Sequence, residues 1–366
     1  MITRPGLVLL ACSFTGGIAC SGKYATGTTT PAARPGPPRG GIAAAALPYQ
    51  VLDRNGRQLD KPAFWERVAR ARAVCIGEEH PNPHHHWVQL HVVEELGKRA
   101  AAQPKGTASR LGTKFALGLE MIQRPFQGVV DDYVAKRIDA GALRSRVAWE
   151  DRWGYDWGFY GPTIDAAIGF GGHVLALNAS RELSKKISRQ GLESLTPDEK
   201  ALVPELKLDD AAHRGWFDGL MREMGGHGAH SQPVAPAPDD KPDATSPPEP
   251  AKPSPHSGGA PTMPSPERIY TVQVLWDETM ADLSAKWLAA NPTGQLVILA
   301  GNGHCHDSAI VGRLKRRGIA DVISLRPVID VDGNVAEILA KPMNDFVVVL
   351  QLPTPPAATT AETAKQ

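Results

Sequence analysis

Between residues 47 and 352, short and nearly unbroken apolar runs alternate with longer stretches whose apolar positions recur at helical spacing. The runs are RAVCIG (72–77), FALGLE (115–120), HVLALN (173–178), QLVILAG (295–301), ADVISL (320–325) and FVVVLQL (346–352). Strands apolar on both faces belong in a parallel sheet covered on both sides, and alternation with helices is how such a sheet is built. The pattern predicts helices over 83–102, 126–140, 161–171, 180–190, 197–204, 209–224, 267–290 and 307–318. Pro83 suits a first helical turn, and TPDE at 196–199 places Thr196 as an N-cap with Glu199 three residues on. The fold class is therefore α/β, with a mostly parallel central sheet flanked by helices.

In such sheets ligands bind beyond the carboxyl ends of the strands. The first run leads into Gly77-Glu78-Glu79-His80, the second ends on Glu120, the third on Asn178 with Arg181 following, and the fourth enters Gly301-Asn302-Gly303-His304-Cys305-His306. Gly-x-x-His thus occurs twice, each time after a strand. Its glycines permit sharp turns and close backbone approach. His80, His304 and Glu120 supply two imidazoles and a carboxylate, enough for a divalent metal such as zinc or manganese, or for acid/base chemistry.

The next helix carries His84, His85, His86 and His91, and positions about 100° apart cannot all face one ligand. His86, Gln89, Leu90 and Val93 share the expected inward face, whereas His84 and His91 share another with Trp87 and Val88. Further on, WEDRWGYDWGFY (149–160) gathers Trp149, Trp153, Tyr155, Trp157, Phe159 and Tyr160 in a chain only 6% aromatic. Such a surface can pack as core or lie against a planar ligand, and a tyrosinate is one of the protein ligands to haem iron.

Composition changes the picture mainly at the ends and in one interior segment. A formal charge of +1, with no Lys/Arg block interleaved with aromatics, argues against a nucleic-acid partner. Residues 1–19 read as a secretory signal. GIAC, ending at Cys20, resembles a bacterial lipobox, so lipidation of Cys20 and a membrane-tethered, exported protein of the cell envelope are expected. A flexible tether over 20–46 and a similar tail over 353–366 flank the domain at 47–352. From Gly225 to Pro266 there are twelve prolines and no aromatic residue, which predicts a disordered insertion. Beyond Cys12 and Cys20 the chain has Cys75 and Cys305, one beside each Gly-x-x-His motif. Two buried small hydrophobes is the favoured reading, with a disulfide as the alternative if the motifs converge.

VCIGEEHPNPHHHWVQ, ALGLEMIQRPFQ, WGYDWGFYGPTI, VLALNASRE, VQVLWDETMA and VILAGNGHCHDSAIVGRL together resemble the ChaN-like family of the haem-binding uptake, Tiki superfamily, over roughly residues 70–330. The resemblance implies a bacterial iron-regulated lipoprotein with a smaller helical subdomain beside the sheet. It also implies haem held between two copies of the chain as a homodimer, with Tyr155 or Tyr160 on the iron and Trp153, Trp157, His85 and His86 lining the site. Other superfamily members are hydrolases. That alternative gives the metal to His80, Glu120 and His304, and makes Glu78 or Glu79 the base that deprotonates a bound water.

Overall fold

The computed structural model describes residues 42, 46–102, 114–228, 264–331 and 333–352. The expected signal segment, Cys20, the tail, and most of the tether and of the insertion lie outside the described residues.

Eight strands form one sheet: β1 (Tyr49–Asp53), β2 (Gln58–Leu59), β3 (Ala73–Ile76), β4 (Lys114–Gln123), β5 (His173–Asn178), β6 (Gly294–Leu299), β7 (Val322–Ile329) and β8 (Phe346–Leu350), in the order β2-β1-β8-β7-β3-β6-β4-β5. All six predicted strands are present. They occupy the contiguous run from β8 to β5, and every pairing within it is parallel. The hairpin β1–β2 adds an antiparallel edge against β8.

The pleat divides side chains between two layers. On β3, Val74 and Ile76 enter a cluster with Trp65 of α1 (Lys61–Arg70) and Val88, Val92 and Val93 of α2 (Pro83–Ala101). Phe159, Tyr160 and Ile164 complete that cluster, the last from α6 (Gly161–Gly169). Ala73 and Cys75 face the other way, against α10 (Pro266–Ala290) and α11 (Ile310–Arg316). Small residues on that side let α10 lie close over the sheet centre, where the other side takes aromatic bulk.

The predicted helix over 126–140 is two helices, α3 (Gln127–Val134) and α4 (Ala140–Arg146). Lys136 takes a left-handed φ of 57°, and Asp139 caps the second helix by accepting from the Ala142 N–H. Between α4 and α6 the short α5 (Trp149–Arg152) opens the aromatic stretch. α7 (Arg181–Gln190) and α8 (Pro197–Ala201) follow, and the Thr196/Glu199 capping box forms as the sequence indicates. The insertion begins later than composition suggested, because α9 (Ala211–Gly228) runs through its first residues. Ser265 caps α10 on the far side. α12 (Asn334–Ala340) lies between β7 and β8. No helix among the described residues is long and apolar enough to cross a membrane.

Candidate functional site

Because β3, β6, β4 and β5 are adjacent and parallel, their polar exits come to one edge of the sheet. The two Gly-x-x-His turns lie against each other. The Ala300 N–H donates to the Ile76 carbonyl at 3.3 Å, and the Asn302 N–H to the Glu78 carbonyl at 2.9 Å. A Cβ on Gly77 would stand 2.2 Å from Asn302 Oδ1, so a larger residue here would displace the Asn302 side chain.

Cys75 and Cys305 are joined as a disulfide, with Cα atoms 5.3 Å apart. This corrects the favoured reading of two separate buried thiols. Register sets Cys75 beside Ile298 on β6, and the turn after β6 folds Cys305 back over β3.

On the β3 side the centre is Glu78, which is fully buried. Its Oε1 lies 2.6 Å from His80 Nδ1 and accepts from the Tyr160 hydroxyl at 2.7 Å, while Oε2 accepts from Gln89 Nε2 at 2.7 Å. Burial alone would raise the Glu78 pKa, but the His86 and His80 charges and these hydrogen bonds outweigh it and bring the pKa down to about 2. His80 moves the opposite way: burial disfavours its charge, yet Glu78 raises its pKa overall. The Tyr160 phenol is pushed well above its usual value by burial and by Glu78.

On the β6 side, Glu120 Oε2 accepts from the Gly301 N–H at 2.7 Å, and its Oε1 is 3.3 Å from His304 Nε2. The other His304 nitrogen, Nδ1, lies 2.7 Å from Oδ1 of Asp277 on α10. Held between two carboxylates, the His304 pKa rises to about 10 although burial opposes the charge. Asp277 Oδ2 is 3.0 Å from His213 Nε2 and 3.7 Å from an Arg313 nitrogen, and all three side chains are fully buried. Next to it, the buried carboxylate of Glu278 gathers Arg313, Arg316 and Arg317. His306, on the far side of Cys305 from His304, points away and packs on Trp216 with ring centroids 4.6 Å apart.

The charges of Glu120 and His304 both act on His80, so the two halves of the site are close neighbours. They do not form the three-ligand metal set expected of His80, Glu120 and His304. Among the described residues no group of three His, Cys, Asp or Glu side chains stands in a metal-holding arrangement. His80 Nδ1 is taken by Glu78 and His304 Nδ1 by Asp277, while His304 Nε2 faces Glu120. Glu78, the candidate base, is saturated by its own partners. Glu79 is part-buried, and its N–H donates to His85 Nδ1 at 2.9 Å.

Other predicted residues separate by depth. His85 and His86 are buried framework. His86 stacks on Phe159 at 4.8 Å and reaches the His80 carbonyl through Nε2 at 3.0 Å. His91 packs among Tyr49, Trp65 and Trp87 at the edge of the core. Tyr160 is fully buried, which takes it off the open side of the cleft. Trp157 meets Trp149 edge-on at 4.9 Å. Trp153 and the part-buried Tyr155 lie against His80, with ring centroids at 4.6 and 5.0 Å. Sequence reasoning missed Gln89 as a ligand of Glu78 and Asp277 as the partner of His304. The signal for Asp277 was present in VLWDETMA, an acidic pair flanked by apolar residues within a helix.

Residues 64–314, more than half of the chain, match the family described as haem-binding uptake, Tiki superfamily, ChaN. The chain belongs to that family. A Campylobacter jejuni ChaN structure, whose title describes cofacial haem binding, superposes with a TM-score of 0.56 at 14% identity, covering 83% of this chain and 97% of that one. At that identity the likeness concerns the fold, which the ChaN family chain shares. Looser matches are an erythromycin esterase mutant in its open conformation (TM-score 0.38, 13% identity, 83% of each chain) and a Bacillus cereus protein (TM-score 0.33, 10% identity, 74% of this chain and 68% of that one). No curated protein sequence matches.

The donor set of this ChaN family chain fits a haem. Tyr155 offers a phenol oxygen, the hard anionic donor that ferric iron accepts, and Trp153 beside it offers a flat apolar face.

Proposed function

We propose that this chain binds haem at the cleft beside His80, with Tyr155 as the iron ligand, as a lipid-anchored protein of the bacterial envelope that takes part in haem or iron uptake. The observation that carries the reading is the difference in depth between the two candidate tyrosines. Tyr160 is fully buried, whereas Tyr155 stands part-buried against His80 and Trp153. A haem bound beside Tyr155 on this chain would leave a face for a second copy, hence a ligand-bridged homodimer. Export is supported by the Cys75–Cys305 disulfide, which persists in an oxidising compartment, and lipidation at Cys20 would supply the anchor.

Haemin titration followed by absorption spectroscopy tests this. Tyr155→Phe is expected to remove the tyrosinate-type spectrum and weaken binding at least about tenfold, the loss of one coordinate bond exceeding about 1.4 kcal/mol. An unchanged spectrum in that variant would reject the assignment.

A second reading is favoured by the two buried imidazole–carboxylate pairs, His80 with Glu78 and His304 with Asp277. Oriented histidines of this kind serve general acid/base catalysis, so hydrolysis is the alternative activity. On this reading an activated ester is turned over by the wild type and not by His80→Ala. Turnover that survives in His80→Ala, or none in the wild type, removes the hydrolase.

A further inference from the structure

We infer that Trp149 is the positioning residue for the iron-ligating tyrosine: its indole N–H holds the backbone of Tyr155 where the phenol can reach a haem. The inference rests on the haem reading above and adds what keeps the ligand residue in place. Tyr155 stands on irregular chain, between α5 and the 3-10 turn at Trp157–Phe159. Chain outside the helix and sheet ladders is held by whatever local bonds its backbone groups find.

Three such bonds converge on Trp149. Its carbonyl accepts from the Trp153 and Gly154 N–H groups, both at 2.9 Å, and its indole Nε1 donates to the Tyr155 carbonyl at 2.7 Å. The segment Trp149–Tyr155 is thereby closed into a loop, with one residue serving both of its ends. Left-handed φ angles at Ala148 (52°) and Gly154 (82°) bracket α5 and make the chain reversals that this closure needs.

Trp149 is itself a fixed post. It is buried, and its ring meets those of Trp157 and Tyr160 edge-on, with centroids 4.9 and 5.4 Å away. The loop it closes is also fastened to the exit edge of the sheet. Arg152 donates to the Gln123 carboxamide oxygen and to Glu182, both at 2.7 Å, and Arg181 donates to Asp151 at 2.6 Å. Tyr155 therefore hangs from a braced loop at the point where its ring and that of Trp153 meet His80. A binding residue ordered before its ligand arrives spares the cost of ordering it on binding, so loss of the hold weakens affinity without removing any contact to the ligand.

Haemin titrations read by absorption test the role in wild type, Tyr155→Phe, Trp149→Phe and a protein carrying benzothienylalanine at position 149. The last keeps the bicyclic shape of tryptophan and replaces the N–H by sulfur, so it decides the matter if Trp149→Phe does not fold. Both changes at position 149 are expected to weaken haemin binding about 3- to 10-fold, the range for one lost hydrogen bond, and to diminish the tyrosinate-type band that Tyr155→Phe abolishes. Leu314→Ala, which empties core on the opposite side of the sheet, is expected to bind as wild type does. Wild-type affinity and a full band in the benzothienylalanine protein, beside a band lost in Tyr155→Phe, would overturn the role of Trp149 and leave the haem site standing. Equal weakening in Leu314→Ala overturns it as well, since the effect then reports general loosening of the fold. If Tyr155→Phe keeps the band, the haem reading falls and this inference with it.

Discussion

Reduction of the Cys75–Cys305 disulfide is expected to lower the unfolding free energy by about 5 kcal/mol. The size follows from the span. The bridge closes a ring across a sequence separation of 230 residues, and in the chain-entropy account the constraint on the unfolded state grows with the logarithm of ring length. Native geometry does not depend on the bridge alone, since backbone hydrogen bonds from Ala300 to Ile76 and from Asn302 to Glu78 hold the same two turns together. Urea unfolding with and without a dithiol reductant, and of the double variant Cys75→Ala/Cys305→Ala, should show a lower midpoint with native secondary structure retained before the transition. Coincident curves would mean that the ring contributes nothing.

Asp277→Asn should cost about 3–5 kcal/mol at neutral pH, because removing one charge from a buried network leaves its partners uncompensated. Those partners are His304, His213 and Arg313, all buried. The variant should also alter the alkaline limb of the stability profile. His304 has a folded-state pKa raised to about 10, above the ordinary histidine value of 6.5. The stabilisation it brings is fully present below pH 6.5 and is lost as pH climbs through 6.5 to about 10. With the Asp277 charge gone the folded-state pKa falls toward the unfolded one, so the decline becomes shallower and is complete at lower pH. The depressed pKa of Glu78, about 2, works on the acid side: its contribution is full above about 4.5 and disappears as pH falls toward 2. Asp277 adds to the same limb, since Arg313 and His304 outweigh burial and hold its carboxyl far below the usual carboxylate range, so Asp277→Asn should also flatten the acid limb below about pH 4 while the Glu78 share persists. Denaturation curves of both proteins from pH 3 to 10 check the assignment, and parallel alkaline slopes would contradict it.

Much of this architecture could be read from residue order. The six parallel strands stood out because each is apolar on both faces, and their shared exit edge followed from the alternation with helices. The hairpin at Tyr49–Leu59 escaped notice because YQVLD and QL mix polar with apolar side chains and are short. The single helix expected over 126–140 failed at Lys136, where nothing in the local composition announces a left-handed turn. Within the site, the motif residues were visible because glycine and histidine recur at strand exits, but their partners were not. Asp277 comes from a helix that crosses beneath the sheet, and Gln89 from the second turn of α2, so only the packing of layers brings them to His304 and Glu78. The choice between Tyr155 and Tyr160 was equally hidden. Four residues separate them, and the short 3-10 turn at Trp157–Phe159 directs the second inward to Glu78 while the first stays beside His80.

One topological consequence of the bridge concerns proteolysis. Position 75 lies near the front of the domain and position 305 toward its back, so the whole proline-rich stretch sits inside a covalent circle. A protease that nicks that stretch yields two fragments still tied to one another, which would migrate as one species on a non-reducing gel and as two once thiol is added. The two turns that carry Gly77–His80 and Gly301–His304 thus stay covalently joined even when the peptide chain between them is cut.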